Sequence, residues 1–174
     1  MRESTDRAVA GLLLVLEYLE SLPEVDASRT VIVGGSLGVP FAAIAGALEP
    51  RFEGVALLFG GGDLVRLVKT RLPLRSRIPR ELSGLILRPW LDPVDPARFV
   101  PHIAPRPVLL VNGKQDTYIP KACVDVLHAA TRPPKATVWV DTPHRVQGTA
   151  FADTVAQAVW TWMESEGWGA ARKF

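Results

Sequence analysis

One cysteine, Cys123, stands in 174 residues, which excludes a disulfide within the chain and a cysteine-rich metal site. Histidine is almost as scarce. His102, His128 and His144 are the only three, and they lack metal-ligand spacing, so no metal or other cofactor is expected. Long hydrophobic runs are missing too: the most apolar block, Ala8 to Leu16, falls well short of the roughly 20 residues a membrane span needs. It does not read as a signal-peptide core, because Glu3 and Asp6 precede it, Glu17 and Glu20 follow it, and no small-residue cleavage site comes after. The expectation is a cytoplasmic protein with no membrane partner. Charge of one sign is not in excess, the net value being +2. Basic residues are not interleaved with aromatics, so no nucleic acid partner is expected. Internal repeats and low-complexity linkers are absent, which leaves one domain over residues 1–174 as the expectation.

What is present suffices for a core. Hydrophobic residues make up 48% and charged residues 22%, ordinary proportions for a folded domain; only the tail after Trp168 reads as a candidate for disorder. The patterning predicts helix 6–22, strand 30–34, helix 37–48, strand 54–59, a helical or irregular stretch over 63–91, strand 107–112, helix 120–131, strand 136–140 and helix 149–166. Val108 to Val111 is apolar without alternation, as suits a parallel strand buried on both faces. Strands alternating with helices imply an α/β fold with about four parallel strands and helices on both faces. The proline-rich stretch Pro89 to Pro107 reads as a loop. In the last helix Val155, Val159, Trp162 and Met163 recur at near-helical spacing, which marks them as core.

Chemistry enters at Val31-Ile-Val-Gly-Gly-Ser-Leu-Gly-Val39, where a β-branched run breaks into Gly34-x-Ser36-x-Gly38 and then an alanine-rich helix. This is the order of a nucleophile elbow. A serine on a sharp strand-to-helix turn takes an uncommon backbone conformation, and small residues two before and two after let strand and helix pass closely. The turn presents the Ser36 hydroxyl beside the free N–H groups of the first helical turn. An acid and a histidine follow in the order Ser, Asp, His: Asp116 lies just past the strand ending in Asn112-Gly113, and His144 just past Ala136 to Val140. Asp63, after the strand at 54–59, is the alternative acid. His102, among prolines, and His128, within a helical pattern, are the alternative histidines, but neither follows a strand end. Asp141 is expected to shape the turn before His144.

With these pieces in order, the chain from about Asp6 to Gly167 resembles an α/β-hydrolase. The stretch Ile103-Ala-Pro-Arg-Pro-Val-Leu-Leu-Val-Asn-Gly-Lys-Gln-Asp-Thr-Tyr-Ile-Pro120 is especially similar to the acid-bearing segment of the esterases and dienelactone-hydrolase-like members. The resemblance implies that Ser36 is the nucleophile, His144 the general base and then acid, and Asp116 the residue that holds the imidazole tautomer. It also implies that Leu37 N–H is one oxyanion donor and that a small-molecule carboxylic ester is the substrate.

The departures from that pattern carry expectations of their own. An ordinary member begins with several strands, and a loop after one of them supplies the second oxyanion N–H; this chain opens instead on a helix, so the fold expected is a truncated α/β-hydrolase. Residues 31–33 would then form an open sheet edge. Leu12 to Leu16 make a block wider than one core-facing stripe needs. Together these predict a homodimer through the 31–33 edge, helix 7–22, or both. Gly60-Gly61-Gly62 is a candidate second donor, with an ordinary loop as the plainer reading. Residues 63–104 form the cap insertion, rich in base from Arg66 to Arg98 against Glu81, Asp92 and Asp95, a solvated face or a lid that favours anionic esters. Phe41, Leu64, Trp90 and Ile119 are candidate pocket walls, and an open site would favour short acyl chains. The rival readings are a weak or inactive remnant that serves as an interaction module, and a thioesterase or peptidase built on the same residues.

Overall fold

Four parallel strands form one sheet in the order in which they occur: β1 Val31–Gly35, β2 Gly54–Leu58, β3 Val108–Gly113 and β4 Lys135–Val140. The structure is a computed structural model that describes residues 2–71, 80–144 and 149–168. Among the described residues six α-helices accompany the strands: α1 Arg2–Glu20, α2 Val39–Leu48, α3 Leu64–Arg71, α4 Arg80–Leu91, α5 Lys121–Ala130 and α6 Thr149–Ser165. All residues of β3 are buried, as its unalternating sequence requires of a central parallel strand.

The two faces of the sheet are covered differently. Val55, Leu57, Val108 and Leu110 point into a cluster with Val9 and Leu16 of α1, the alanines of α2 and Leu127 of α5. Their neighbours Ala56, Leu109 and Val111 point the other way, onto Val155 and Trp162 of α6. The period-2 alternation of side chains thus places helices on both faces. Close approach of α2 depends on Gly46, where an added Cβ would lie 2.5 Å from Val55 Cγ2. Arg106 satisfies carbonyls at the end of α2 and in the loop after it: Nη2 donates to Gly46 O at 2.6 Å, and Nη1 donates to Glu49 O at 2.8 Å and to Phe52 O at 2.9 Å.

Helix α1 begins four residues before the predicted start at Asp6. Glu3 sits in its first turn and pairs with Arg7 at 2.6 Å, a favourable charge at a helix N-terminus. Its leucine block divides: Leu16 is buried, Leu12 and Leu13 pack partly, while Leu14 and Val15 are exposed. The predicted loop from Pro89 is a second correction. Helix α4 continues through Pro89 to Leu91, and short 3-10 turns follow at Asp92–Val94, Pro96–Arg98 and Val100–His102. Proline removes the hydrogen bond to the carbonyl four residues back, here that of exposed Leu85, where water can take its place. Arg75, Arg77, the middle of the stretch expected over 63–91 and the tail after Trp168 lie outside the described residues.

Strand β1 pairs with β2 on one side, and among the described residues no strand pairs with its other side. No helix among them is long and apolar enough to cross a membrane.

Candidate active site

Because the strands are parallel, their C-terminal ends share one rim of the sheet, the usual place for a site in an open α/β fold. Ser36 directly follows β1, Asp116 lies three residues past β3 and His144 four past β4. At Ser36 the chain leaves the strand with a φ of 50°, the left-handed region that non-glycine residues seldom occupy. A 3-10 turn over Ser36–Gly38 then leads into α2, with Pro40 in its first turn. Gly34 is required there, since a Cβ at that position would lie 2.5 Å from Ala42 Cβ and 2.6 Å from Gly38 O. Gly38 is not: a Cβ would meet nothing within 4 Å. Its φ of −74° is open to any residue, so only one of the two motif glycines answers to the close passage read from the sequence.

The three side chains meet in one line. Ser36 Oγ lies 2.8 Å from His144 Nε2, and His144 Nδ1 lies 2.8 Å from Asp116 Oδ2. A carboxylate accepts only, so the proton of the neutral imidazole belongs on Nδ1, which leaves Nε2 to accept from the serine hydroxyl. The other carboxylate oxygen, Oδ1, accepts from the backbone N–H of Tyr118 at 2.7 Å and of Ile119 at 2.9 Å. Asp116 thus has both oxygens fixed. Its side chain is 3% exposed and that of His144 7%, whereas Ser36 stays accessible. Water is kept from the polar pair but not from the hydroxyl.

The alternatives lie elsewhere. Asp63, at a φ of 52°, accepts from Arg66 N and pairs with Arg66 Nε at 3.1 Å, occupying the start of α3. His102 is exposed at the end of a 3-10 turn. His128 Nε2 lies 2.9 Å from Asn112 Oδ1, and burial holds its pKa below the ordinary value. Asp141 accepts from Gln115 Nε2 at 3.1 Å. Burial pushes the Cys123 thiol up to about 11, which makes it a poor nucleophile at neutral pH. Among the described residues no group of three or more His, Cys, Asp and Glu residues gathers to hold a metal.

Ser36 and Leu37 open onto a cavity of about 560 Å³. Its walls are Val39, Phe41, Leu64, Leu67, Val68, Leu91, Val94 and Ile119, with Thr5, Arg71 and Tyr118 as the polar lining besides Ser36. Phe41, Leu64 and Ile119 stand where the sequence put them. Trp90 does not: it is 60% exposed, and Leu91 lines the cavity instead, because successive helical residues point about 100° apart. Gly60 and Gly61 also line the cavity. Their small size is used in packing, for a Cβ would lie 2.6 Å from Val39 Cγ1 and 2.9 Å from Ile119 Cγ2 respectively, and Gly62 N–H donates to Cys123 O at 2.8 Å. Tyr118 and Arg71 escaped the sequence reading. Tyr118 is two residues from Asp116, and an aspartate that bonds the N–H two residues on is the one signal that pointed to it.

No family model matches the chain, and no curated protein does. Solved structures do match. An acetyl xylan esterase from Paenibacillus sp. R4 superposes with a TM-score of 0.61 at 20% identity, over 91% of this chain and 51% of its own. The esterase domain of a Rhodothermus marinus protein gives 0.63 at 21% identity, over 89% and 67%. The 2,6-dihydroxy-pseudo-oxynicotine hydrolase gives 0.62 at 20% identity, over 89% and 45%. The chain spans about half the length of the acetyl xylan esterases it matches. Four parallel strands, helices on both faces and these superpositions identify the chain as having the α/β-hydrolase fold.

Proposed function

We propose that the chain hydrolyses carboxylic esters through an acyl-enzyme on Ser36. The observation that carries this reading is the line from Ser36 Oγ through the imidazole of His144 to Asp116, 2.8 Å at each link. Ser36 Oγ attacks the ester carbonyl as its proton passes to His144 Nε2; Asp116 holds the tautomer and offsets the imidazolium charge. The tetrahedral oxyanion forms beside the backbone N–H of Leu37. Its collapse breaks the bond to the alkoxide, which takes the proton from Nε2. Water then repeats the sequence on the acyl-enzyme, giving its proton to Nε2, and release of the acid restores Ser36. Each oxyanion donor matters, since losing one costs on the order of 10²–10³ in kcat.

The cavity favours a longer acyl group than the short one expected from an open site. Aliphatic and aromatic walls around about 560 Å³ fit an apolar arm several carbons long. Each methylene transferred from water contributes about 0.8 kcal/mol, an upper limit of about fourfold per carbon in kcat/KM. Initial rates on p-nitrophenyl acetate through decanoate test this. The expected profile climbs from acetate toward hexanoate or octanoate; a profile that falls from acetate onward contradicts the assignment of the cavity to the acyl chain.

A homodimer belongs to the same proposal. The side of β1 that no strand pairs among the described residues, with its exposed Val33, and Leu14, Val15 and Tyr18 exposed on α1, are the surfaces a second copy would cover.

A further inference from the structure

His144 is held by more than its two hydrogen bonds. The ring of Tyr118 stacks on its imidazole with centroids 4.7 Å apart and planes 28° from parallel. Phe59 meets the imidazole edge-on at 5.8 Å. Tyr118 is itself held by Arg71, the last residue of α3: Cζ lies 4.1 Å from the Tyr118 ring centroid, Nε donates to Tyr118 O at 3.0 Å, and Nη2 donates to the carbonyls of Thr117 and Tyr118. Among the described residues Arg71 has no carboxylate partner. Its charge is spent on the tyrosine ring and on two peptide dipoles of the loop that carries Asp116.

We propose that Tyr118, backed by Arg71, is a positioning residue for His144 and the link through which the cap helix α3 sets the geometry of the Ser36–His144–Asp116 line. Three facts converge on it. The backbone N–H of Tyr118 fixes Asp116 Oδ1, its ring fixes the plane of the imidazole, and its carbonyl is tied to α3. A histidine hydrogen-bonded at both nitrogens can still tilt about the axis through them, and a stacked ring opposes that tilt. The arrangement also has a consequence for the cavity: α3 supplies Leu64, Leu67 and Val68 to its wall, so displacing that wall displaces Arg71 and, through it, the tyrosine.

The inference rests on the ester-hydrolase reading, and the experiment separates the two. Tyr118→Ala, Tyr118→Phe, Arg71→Met and the double variant Tyr118→Ala/Arg71→Met are compared with wild type after circular dichroism shows each folded. Tyr118→Ala is expected to lower kcat about tenfold or more, since small misplacements of a catalytic group are expensive. Tyr118→Phe restores most of that loss, because the ring and not the hydroxyl makes the contact. Arg71→Met lowers kcat alone but adds little to Tyr118→Ala, the non-additivity expected of residues acting in one chain. In parallel, the His144 ring protons are followed by NMR: Tyr118→Ala removes the ring-current shift and Arg71→Met alters it, a readout that needs no turnover. Unchanged kcat in Tyr118→Ala, additive losses in the double variant, or a His144 resonance indifferent to Arg71→Met would overturn the proposal, whereas a wild type that turns over no ester while the NMR shifts behave as described overturns the hydrolase reading alone.

Discussion

Gly34 and Gly38 stand two residues before and two after Ser36, and their substitutions are expected to differ in their effect on stability. At Gly34 a methyl group would lie 2.5 Å from Ala42 Cβ and 2.6 Å from the Gly38 carbonyl, so Gly34→Ala must push β1 and α2 apart. Overpacking of this kind costs about 1–3 kcal/mol. Gly38 has a helical conformation at φ −74°, ψ −16° and open space where a Cβ would go; Gly38→Ala is expected to be neutral or to stabilise by about 0.4–1 kcal/mol, by restricting the unfolded chain. Urea midpoints of the two variants check both, and equal losses would contradict the packing described. That Ser36, Asp116 and His144 come together at one rim was legible because each follows the end of a strand that its own apolar or β-rich run announces. The contact of Tyr118 with Arg71 was not, since the sequence separates them by 47 positions and no local pattern joins helix α3 to the loop of Asp116.

Helix α3 holds its place through one buried acid. Asp95 Oδ2 accepts from Leu64 N at 2.7 Å and Oδ1 from Ala97 N at 2.9 Å, so a single carboxylate caps α3 and the 3-10 turn at Pro96–Arg98. Burial nevertheless raises its pKa above the ordinary 3.8, with the nearby Asp63 and Asp92 acting in the same direction. The folded protein therefore holds this proton more tightly than the unfolded chain does. Stability from the group is complete below about the ordinary carboxyl value and is lost as pH rises through the raised one. Denaturant melts of wild type and Asp95→Asn are expected to show the wild type's relative stability falling between pH 3.5 and the neutral range, taken at steps of about one unit; a relative stability that rises over that interval contradicts the sign. The sequence offered no hint of this cap, because its two ends lie 31 residues apart. Strands were easier: an unalternating apolar run has few other uses, whereas local propensity at Pro89 points to a loop and the tertiary packing of α4 overrides it.

At the scale of the whole molecule the sheet has one side of β1 unpaired among the described residues, and a shallow apolar groove adjoins it, lined by Val33, Leu58, Val155, Val159, Trp160 and Met163. If a second copy covers this edge, a charge at its centre should prevent it. Val33→Lys is expected to convert a dimer seen by sedimentation velocity at micromolar concentration into a monomer without loss of helix signal; a wild type already monomeric there removes the dimer from the account. Order of elements, parallel pairing and the position of the site at the strand ends all followed from the alternation of short strands with helices. The size of the cavity did not, because its walls come from α2, α3, α4 and the acid loop at once. Whether Ser36 is a working nucleophile is decided by initial rates on p-nitrophenyl butyrate and octanoate for wild type and Ser36→Ala, purified side by side and compared for fold: turnover by wild type with background rates for Ser36→Ala is expected, and equal rates for the two folded proteins would rule out a serine nucleophile.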